Sequence, residues 1–178
     1  MDKRQSFVSR LIGRLYKFLV KKAVNIADMR RYSKVLLPSP IFGYLDGGAD
    51  DEVTLKRNSS DFEKYELLPR YLVDISSIDT TTHVMDSDLS FPVICSPMGM
   101  SRLFHAEGEL AVAQAAAEIG TLYTLSTLST FSIEDVAGVS KGDKWFQIYV
   151  FKDRSLISEF MDRCRDAGYK GLSLTIDV

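Results

Sequence analysis

The chain has 178 residues, of which 46% are hydrophobic and 26% are charged, and its formal net charge is −2. These values are typical of a globular domain with its own core, and they give no general reason to expect nucleic-acid binding. Two cysteines, Cys95 and Cys164, are too few for a disulfide scaffold, and we expect both to be reduced core thiols. The two histidines offer no recognisable metal-site spacing, and no apolar run approaches the roughly 18 residues of a membrane span.

The first 22 residues differ in charge from the rest. They contain seven basic residues and one acid, a net charge of +6, which leaves −8 for the remainder. At a helical period the apolar residues of this segment share one face, and four basic residues lie opposite (Arg10, Arg14, Lys17 and Lys21). We therefore expect a basic amphipathic helix over residues 1–24. It could lie on an anionic membrane surface, pack on this protein or on a partner subunit, or serve as an organellar transit peptide.

The remaining residues, 25–178, form a second region, which begins with helical signals. Asp28–Leu36 predicts a helix that is stopped by Pro38 and Pro40. Phe42–Ala49 predicts a short helix that ends in glycines, which tolerate unusual backbone angles. Residues 79–91 predict a hairpin.

From residue 92, short apolar runs alternate with helical runs. The predicted strands are 92–96, 121–126, 145–150 and 171–178, and the predicted helices are 107–119, 132–137 and 153–167. Ser132 is the expected N-cap of the second helix, with Asp135 in a box-like position. Asp153 is expected to cap the third helix and Gly168 to end it. Strands and helices that alternate at this spacing indicate βα units and a parallel sheet.

The two faces of the later strands favour a (β/α)8 barrel, the TIM barrel, over a doubly wound sheet. In the third strand Trp145, Gln147 and Tyr149 alternate with apolar residues, and the fourth strand has the same pattern. A doubly wound sheet is covered by helices on both faces, whereas a barrel strand has one face toward the interior. A barrel needs eight strands and about 250 residues. We therefore expect the N-terminal helical segment and about four strands of a truncated barrel, with the 79–91 hairpin at its bottom.

Polar side chains occur near the carboxyl ends of all four strands (Ser96, Ser126, Gln147, Tyr149, Thr175 and Asp177). Each could have an ordinary structural role as a helix cap, a backbone partner or a paired carboxylate. In a barrel, however, they converge on one mouth. Amides and hydroxyls suit a flat heteroaromatic cofactor, and Tyr149 and Asp177 suit proton transfer beside it.

The glycine pair Gly47 and Gly48 does not indicate a dinucleotide-binding motif. It follows a helix-like stretch, whereas that motif follows a strand.

Six segments, in chain order, carry a resemblance to a known family. They are FGYLDGGADDEVTLKRN (42–58), LPRYLVDIS (68–76), FPVICSPMGM (91–100), HAEGELAVAQAAAEIGTLYTLSTLS (105–129), WFQIYVFKDR (145–154) and LSLTIDV (172–178). Together they resemble the FMN-dependent α-hydroxy-acid dehydrogenases and oxidases, with the greatest similarity to bacterial L-lactate dehydrogenases. The resemblance implies a TIM barrel. It also implies FMN contacts at six positions (Pro97, Met98, Gly99, Ser126, Gln147 and Thr175).

The resemblance also implies substrate-binding and catalytic residues. Tyr44 corresponds to the tyrosine that binds the substrate carboxylate, and Tyr149 to the tyrosine near the substrate hydroxyl. Asp177 corresponds to the carboxylate that pairs with the catalytic histidine and stabilises its imidazolium. Leu128 stands where glycolate oxidase carries a tryptophan in its substrate pocket, and an aliphatic residue there fits lactate-type enzymes. The family's histidine base, flavin-contacting lysine, arginines and phosphate loops correspond to positions beyond Val178. We therefore expect the isolated 178-residue chain to fold poorly and to be inactive.

The expected function is FMN-dependent oxidation of an L-2-hydroxy acid, with L-lactate as the expected substrate. Electrons would pass to a quinone, a cytochrome or oxygen. We expect a cytoplasmic protein, which could form a homo-oligomer and could contact the inner membrane peripherally through its first helix. One alternative is a related FMN barrel such as type 2 isopentenyl-diphosphate isomerase, against which Tyr44, Tyr149 and Asp177 argue. The other is an inactive truncated fragment that acts only through its amphipathic helix on a membrane or partner.

Overall fold

The computed structural model describes Gly13 and residues 18–176, which divide into two compact units between Leu72 and Val73. Residues 18–22 are helical. Most of the predicted N-terminal helix lies outside the described residues, as does Asp177.

The first unit is helical. Helix α1 spans Ile26–Leu36, α2 spans Ser39–Asp46 and α3 spans Val53–Ser60, which a 3-10 turn over Asp61–Lys64 extends. The Asn25 side chain caps α1 by accepting from the Asp28 N–H at 2.9 Å. Arg30 Nη2 donates to Asp46 Oδ2 at 2.8 Å, which joins α1 to α2.

The helices of the first unit confirm one prediction and correct another. The predicted helix over 28–36 is confirmed and begins two residues earlier, at Ile26, directly after its Asn25 cap. The helix predicted over Phe42–Ala49 instead begins at Ser39, because Pro40 occupies the first turn, where a missing N–H costs nothing. It ends at Asp46, and the N–H of the next residue, Gly47, donates to the Gly43 carbonyl. Helix α3 was not predicted, since its sequence has no apolar stripe.

The second unit begins with a hairpin. Strand β1 (Thr82–Val84) pairs antiparallel with β2 (Ser87–Leu89), so the hairpin predicted within residues 79–91 is confirmed. Met85 adopts a φ of 51° in the turn between them. The predicted role of this hairpin at a barrel bottom stays a prediction.

A parallel sheet forms the centre of the second unit. It contains β3 (Tyr123–Ser126), β4 (Lys144–Ile148) and β5 (Gly171–Leu174), in that spatial order. The strand predicted over Pro92–Ser96 is wrong as a continuous strand, because only Cys95 bridges to Tyr123. Pro92 has no N–H, and the Val93 N–H turns back to the Phe91 carbonyl, so neither residue joins a ladder.

Three helices alternate with the strands of this sheet: α4 follows the Cys95 bridge, α5 follows β3 and α6 follows β4. Helix α4 spans Gly108–Glu118, α5 spans Ile133–Val139 and α6 spans Arg154–Asp166, while a 3-10 turn covers Ser101–Leu103. The capping box of Ser132 and Asp135 and the Asp153 cap are both confirmed. Gly120 and Gly168 follow α4 and α6 with φ values of 73° and 78°, which favour glycine.

The core lies between the sheet and these helices. Leu125, Phe146 and Ile148 point to the helical side and are buried, and the Phe146 ring packs against Phe160 of α6. This confirms Phe146 and Ile148 on the apolar face predicted for strand 145–150, whereas Val150 lies beyond β4 and is exposed. On β5, by contrast, Leu172 and Leu174 are exposed.

The spatial order of the strands bears on the fold class. From Cys95 through β5, each strand or bridge pairs with its successor in the sequence. A barrel has this order, whereas a doubly wound sheet reverses direction at a switch point. The described strands are therefore consistent with the first part of a TIM barrel. None of the helices among residues 18–176 is long and apolar enough to cross a membrane.

The capping box predicts a measurable contribution to stability. Replacing Ser132 by alanine removes the acceptor of the Asp135 N–H. In the complete gene product, meaning this sequence with whatever the gene encodes on either side, the free energy of unfolding in urea should therefore fall by about 1 kcal/mol. The matched control is Ser158→Ala on the exposed face of α6, which should leave the free energy unchanged or slightly higher. Equal losses in the two variants would contradict the capping role.

Candidate active site

Three of the predicted cofactor residues meet at the carboxyl end of the sheet. Ser126 ends β3, Gln147 lies beside it on β4, and Thr175 follows β5. Ser126 Oγ donates to Gln147 Oε1 at 3.2 Å, and Gln147 Nε2 donates to Thr175 Oγ1 at 2.6 Å. Hydrogen bonds thus link the ends of three adjacent strands through one amide.

The orientation of this amide is determined by a backbone group. The Thr127 N–H donates to Gln147 Oε1 at 3.1 Å, and a backbone N–H can only donate. The oxygen must therefore face Thr127, and the NH2 group must face Thr175. The Thr127 hydroxyl also donates to the main-chain carbonyl of Gln147. Thr127 therefore holds both the side chain and the main chain of Gln147.

A count of donors and acceptors shows what the cluster can offer to a ligand. Both lone pairs of the Gln147 amide oxygen are used by Ser126 and Thr127. One amide hydrogen of Gln147 and the hydroxyl hydrogen of Thr175 have no acceptor within this cluster. Ser126 and Gln147 are only 4% and 5% exposed, so a hydrogen bond from this cluster would form with little competition from water. The cluster therefore suits a ligand edge rich in acceptors.

The loop after Cys95 contacts the loop after β3. The Met100 N–H donates to the Leu128 carbonyl at 2.9 Å, and the Leu128 N–H donates to Ser126 Oγ at 3.1 Å. A Cβ at Gly99 would come within 2.9 Å of the Leu128 Cβ, so this approach requires glycine. Met98 and Leu128 are about half exposed and form an apolar rim beside the polar cluster.

The remaining predicted site residues are placed less completely. Tyr149 follows β4, is half-buried and packs edge-on against Phe151, with ring centroids 6.5 Å apart. Pro97 is exposed in the loop before Met98. Tyr44 belongs to the first unit, on α2, where it is 63% exposed. The roles assigned to these residues and to Asp177 stay predictions.

Two residues near the site were not identified from the sequence. Thr127 orients Gln147, and its only sequence signal is its position after Ser126 at a strand end. Glu109, in the first turn of α4, is fully buried and accepts from the Ser101 N–H at 3.2 Å. It also accepts from the Thr130 N–H at 2.9 Å and from Thr130 Oγ1 at 2.6 Å. Burial acts to raise the pKa of Glu109, but these hydrogen bonds outweigh it and lower the pKa below its usual value.

The count of donors predicts a loss of FMN affinity when Gln147 is replaced by glutamate. The carboxylate still accepts from Ser126 and Thr127 but cannot donate, so the dissociation constant for FMN should rise about tenfold or more. The measurement is the quenching of FMN fluorescence when FMN is added to the complete gene product from which FMN has been removed. The same change at the exposed Gln114 is the matched control and should leave the affinity unchanged. A Gln147→Glu variant that binds FMN as tightly as the parent protein would contradict this role.

Comparison with known proteins adds independent evidence. A family model described as FMN-dependent dehydrogenase matches residues 33–178. Glycolate oxidase 3 of Arabidopsis thaliana and glycolate oxidase of Spinacia oleracea are each 37% identical to the chain over 154 residues, which cover 86% of this chain and 42% of each relative. The chain therefore spans less than half the length of these curated relatives.

Solved structures agree with the sequence relatives. A crystal structure of mandelate oxidase matches with a TM-score of 0.83 at 37% identity, over 88% of this chain and 46% of that one. A mutant of the active chimera of (S)-mandelate dehydrogenase matches with a TM-score of 0.81 at 36% identity, over 86% of this chain and 43% of that one. With the family model covering most of the chain and the fold shared, this chain belongs to the FMN-dependent dehydrogenase family.

Proposed function

We propose that the complete product of this gene, meaning this sequence with whatever the gene encodes on either side, oxidises an L-2-hydroxy acid to the 2-oxo acid with FMN. The observation that carries the proposal is the Gln147 cluster, in which three strand ends present hydrogen-bond donors at one edge of a parallel sheet. In such sheets and barrels, cofactors bind at the carboxyl ends of the strands. The proposal includes a closed eight-stranded barrel, of which the described strands would be the first part.

The residues present fit FMN. The pyrimidine edge of a flavin carries carbonyl oxygens, which match the amide hydrogen of Gln147 and the hydroxyl hydrogen of Thr175. Gly99 has no side chain, so the backbone at Pro97–Gly99 can lie flat against a planar ring. Ser126 supports this edge by holding the Gln147 amide.

The remaining roles follow from the family resemblance. FMN, when bound, would accept the hydrogen of the substrate α-carbon together with its two bonding electrons. Tyr44 would bind the substrate carboxylate, and Tyr149 would hold the substrate hydroxyl by a hydrogen bond. Asp177 would stabilise the positive charge of the histidine that removes the hydroxyl proton. Tyr149 and Asp177 are thus the proposed catalytic residues of this chain.

We propose L-lactate as the substrate. Leu128 is an aliphatic side chain that lies on Gly99 and is about half exposed, so it offers an apolar surface to a small substituent on the α-carbon. Lactate carries a methyl group there, glycolate a hydrogen and mandelate a phenyl ring. Contact with one methyl group contributes about 1–3 kcal/mol to discrimination.

The substrate proposal predicts an order of preference. With the flavin-loaded complete gene product, kcat/KM for L-lactate should exceed that for glycolate about tenfold or more. The measurement is anaerobic bleaching of the flavin absorbance by L-lactate, D-lactate, glycolate and mandelate, with D-lactate as the stereochemical control. A preference for glycolate or mandelate would contradict the choice of lactate. A flavin that none of these acids bleaches would contradict the oxidation itself.

We further propose that the protein is cytoplasmic and contacts the inner membrane through residues 1–24. The charge of its first 22 residues supports this, as does Phe18, an apolar ring that is 55% exposed. A membrane site would favour a quinone or a cytochrome over oxygen as the electron acceptor. A homo-oligomeric assembly stays a prediction.

Membrane contact predicts dependence on anionic lipid. The complete gene product should sediment with vesicles that contain phosphatidylserine and not with vesicles of phosphatidylcholine alone. Replacing Arg10, Arg14, Lys17 and Lys21 by glutamine should abolish sedimentation, because each charge contributes about 1 kcal/mol near an anionic surface. Exchanging four exposed basic residues of the second unit in the same way (Lys141, Lys152, Arg154 and Arg165) is the matched control. Absence of binding to either vesicle would remove the membrane proposal.

A further inference from the structure

We propose that Glu109 is a positioning residue that sets the spacing of the two loops beside the Gln147 cluster, and thereby the fit of flavin and substrate. The proposal rests on the proposed function. Glu109 lies on α4 and is a member of neither the Gln147 cluster nor the apolar rim of Met98 and Leu128. Its carboxylate instead accepts from Ser101, just after the Met98–Gly99 turn, and from Thr130, just after Leu128.

The carboxylate joins loops that are distant in sequence. Ser101 and Thr130 belong to the segments that follow the Cys95 bridge and β3, respectively. Glu109 Oε1 accepts from both backbone N–H groups, and Oε2 accepts from the Thr130 hydroxyl. Because the two N–H groups share one oxygen atom, a displacement of either loop breaks or stretches a bond to a buried anion.

Neighbouring contacts reinforce the same junction. The Arg102 guanidinium lies 5.1 Å from the centre of the Phe131 ring, so the residues next to Ser101 and Thr130 also touch. Gly108 adopts a φ of 42°, and a Cβ there would come within 2.9 Å of Arg102 Cγ. The start of α4 is therefore packed closely under the first loop, which limits how far Glu109 can move.

Packing alone does not account for a carboxylate at this position. Glu109, Ala113 and Ala116 lie at i, i+4 and i+7 on the buried face of α4, where apolar side chains are the rule. The three donors are neutral, so the charge is balanced by hydrogen bonds and not by an ion pair. Burying a carboxylate costs free energy, which these hydrogen bonds offset. Its presence here is explained if the same hydrogen bonds hold the two loops in one geometry.

The geometry that Glu109 holds includes the proposed site. Met98 and Gly99 precede Ser101 by three and two residues, and Leu128 precedes Thr130 by two. The Met100–Leu128 hydrogen bond of 2.9 Å lies between the Glu109 junction and these residues. Loosening the junction should shift the backbone that faces the flavin relative to the side chain that faces the substrate. A displacement of about 1 Å in such a site is enough for a large loss in rate or binding.

The test uses the flavin-loaded complete gene product with Glu109→Ala, Glu109→Gln and Thr130→Val. We expect Glu109→Ala to raise KM for the 2-hydroxy acid about tenfold or more and to change the visible flavin spectrum. Glu109→Gln should stay close to the parent protein, because its amide oxygen can accept both N–H groups and Thr130 Oγ can accept from its NH2 group. Thr130→Val, which removes one donor, should shift KM in the same direction by less.

A structural control separates positioning from stability. Tyr169→Phe removes a half-buried hydrogen bond of 3.0 Å from the Tyr169 hydroxyl to the Ile133 carbonyl at the start of α5, which is no part of the Glu109 junction. It should lower Tm and leave KM and the flavin spectrum unchanged. If Glu109→Ala and Thr130→Val behave like Tyr169→Phe, with a lower Tm and the parent KM and spectrum, Glu109 is only a stabilising residue and the proposal is overturned.

A second measurement does not depend on activity. Hydrogen exchange of the Met100 amide should be faster in Thr130→Val than in the parent protein and near the parent rate in Glu109→Gln, because the junction protects the Met100–Leu128 bond. If the parent protein neither binds FMN nor oxidises a 2-hydroxy acid, the proposed function fails, and this exchange rate still decides the role of Glu109. An unchanged rate in Thr130→Val would overturn it.

Discussion

The Gln147 amide is the constraint on which the site depends. Its oxygen is held by a backbone N–H, so its nitrogen has only one possible direction, toward Thr175 and the open edge of the sheet. The arrangement requires that β3, β4 and β5 be parallel neighbours in register, because only then do Ser126 and Gln147 lie side by side. The βα units supply this register. Helices α4 to α6 stabilise it by burying the face of the sheet that carries Leu125, Phe146 and Ile148.

Local patterns predicted much of this fold. The caps at Ser132 and Asp153 and the glycine after α6 were identified because each obeys a short-range rule that depends on a few adjacent residues. The predicted strand at Pro92–Ser96 shows the limit of such rules. Its residues are apolar, but a proline and a local turn remove the N–H groups that a ladder needs. Helix α3 was missed for the opposite reason, since its residues carry no apolar periodicity.

The site was predicted as a set of residues but not as a set of contacts. Ser126, Gln147 and Thr175 could be identified because parallel strands end at one edge. The direction of the amide could not, because it depends on Thr127, 20 residues away from Gln147 in the sequence. Glu109 was overlooked within an Ala-rich helix. A signal was present, since its spacing to Ala113 and Ala116 places a carboxylate on a buried face.

The most direct test of the account is a crystal structure of the complete gene product with FMN bound. The account predicts that Gln147 Nε2 donates to a carbonyl of the flavin pyrimidine edge at about 2.9 Å, while Oε1 still accepts from the Thr127 N–H. Gly99 should lie against the ring, with Leu128 beside the substrate position. A flavin bound elsewhere, or an amide that has turned its oxygen toward the cofactor, would contradict the central claim that this cluster is built to donate to FMN.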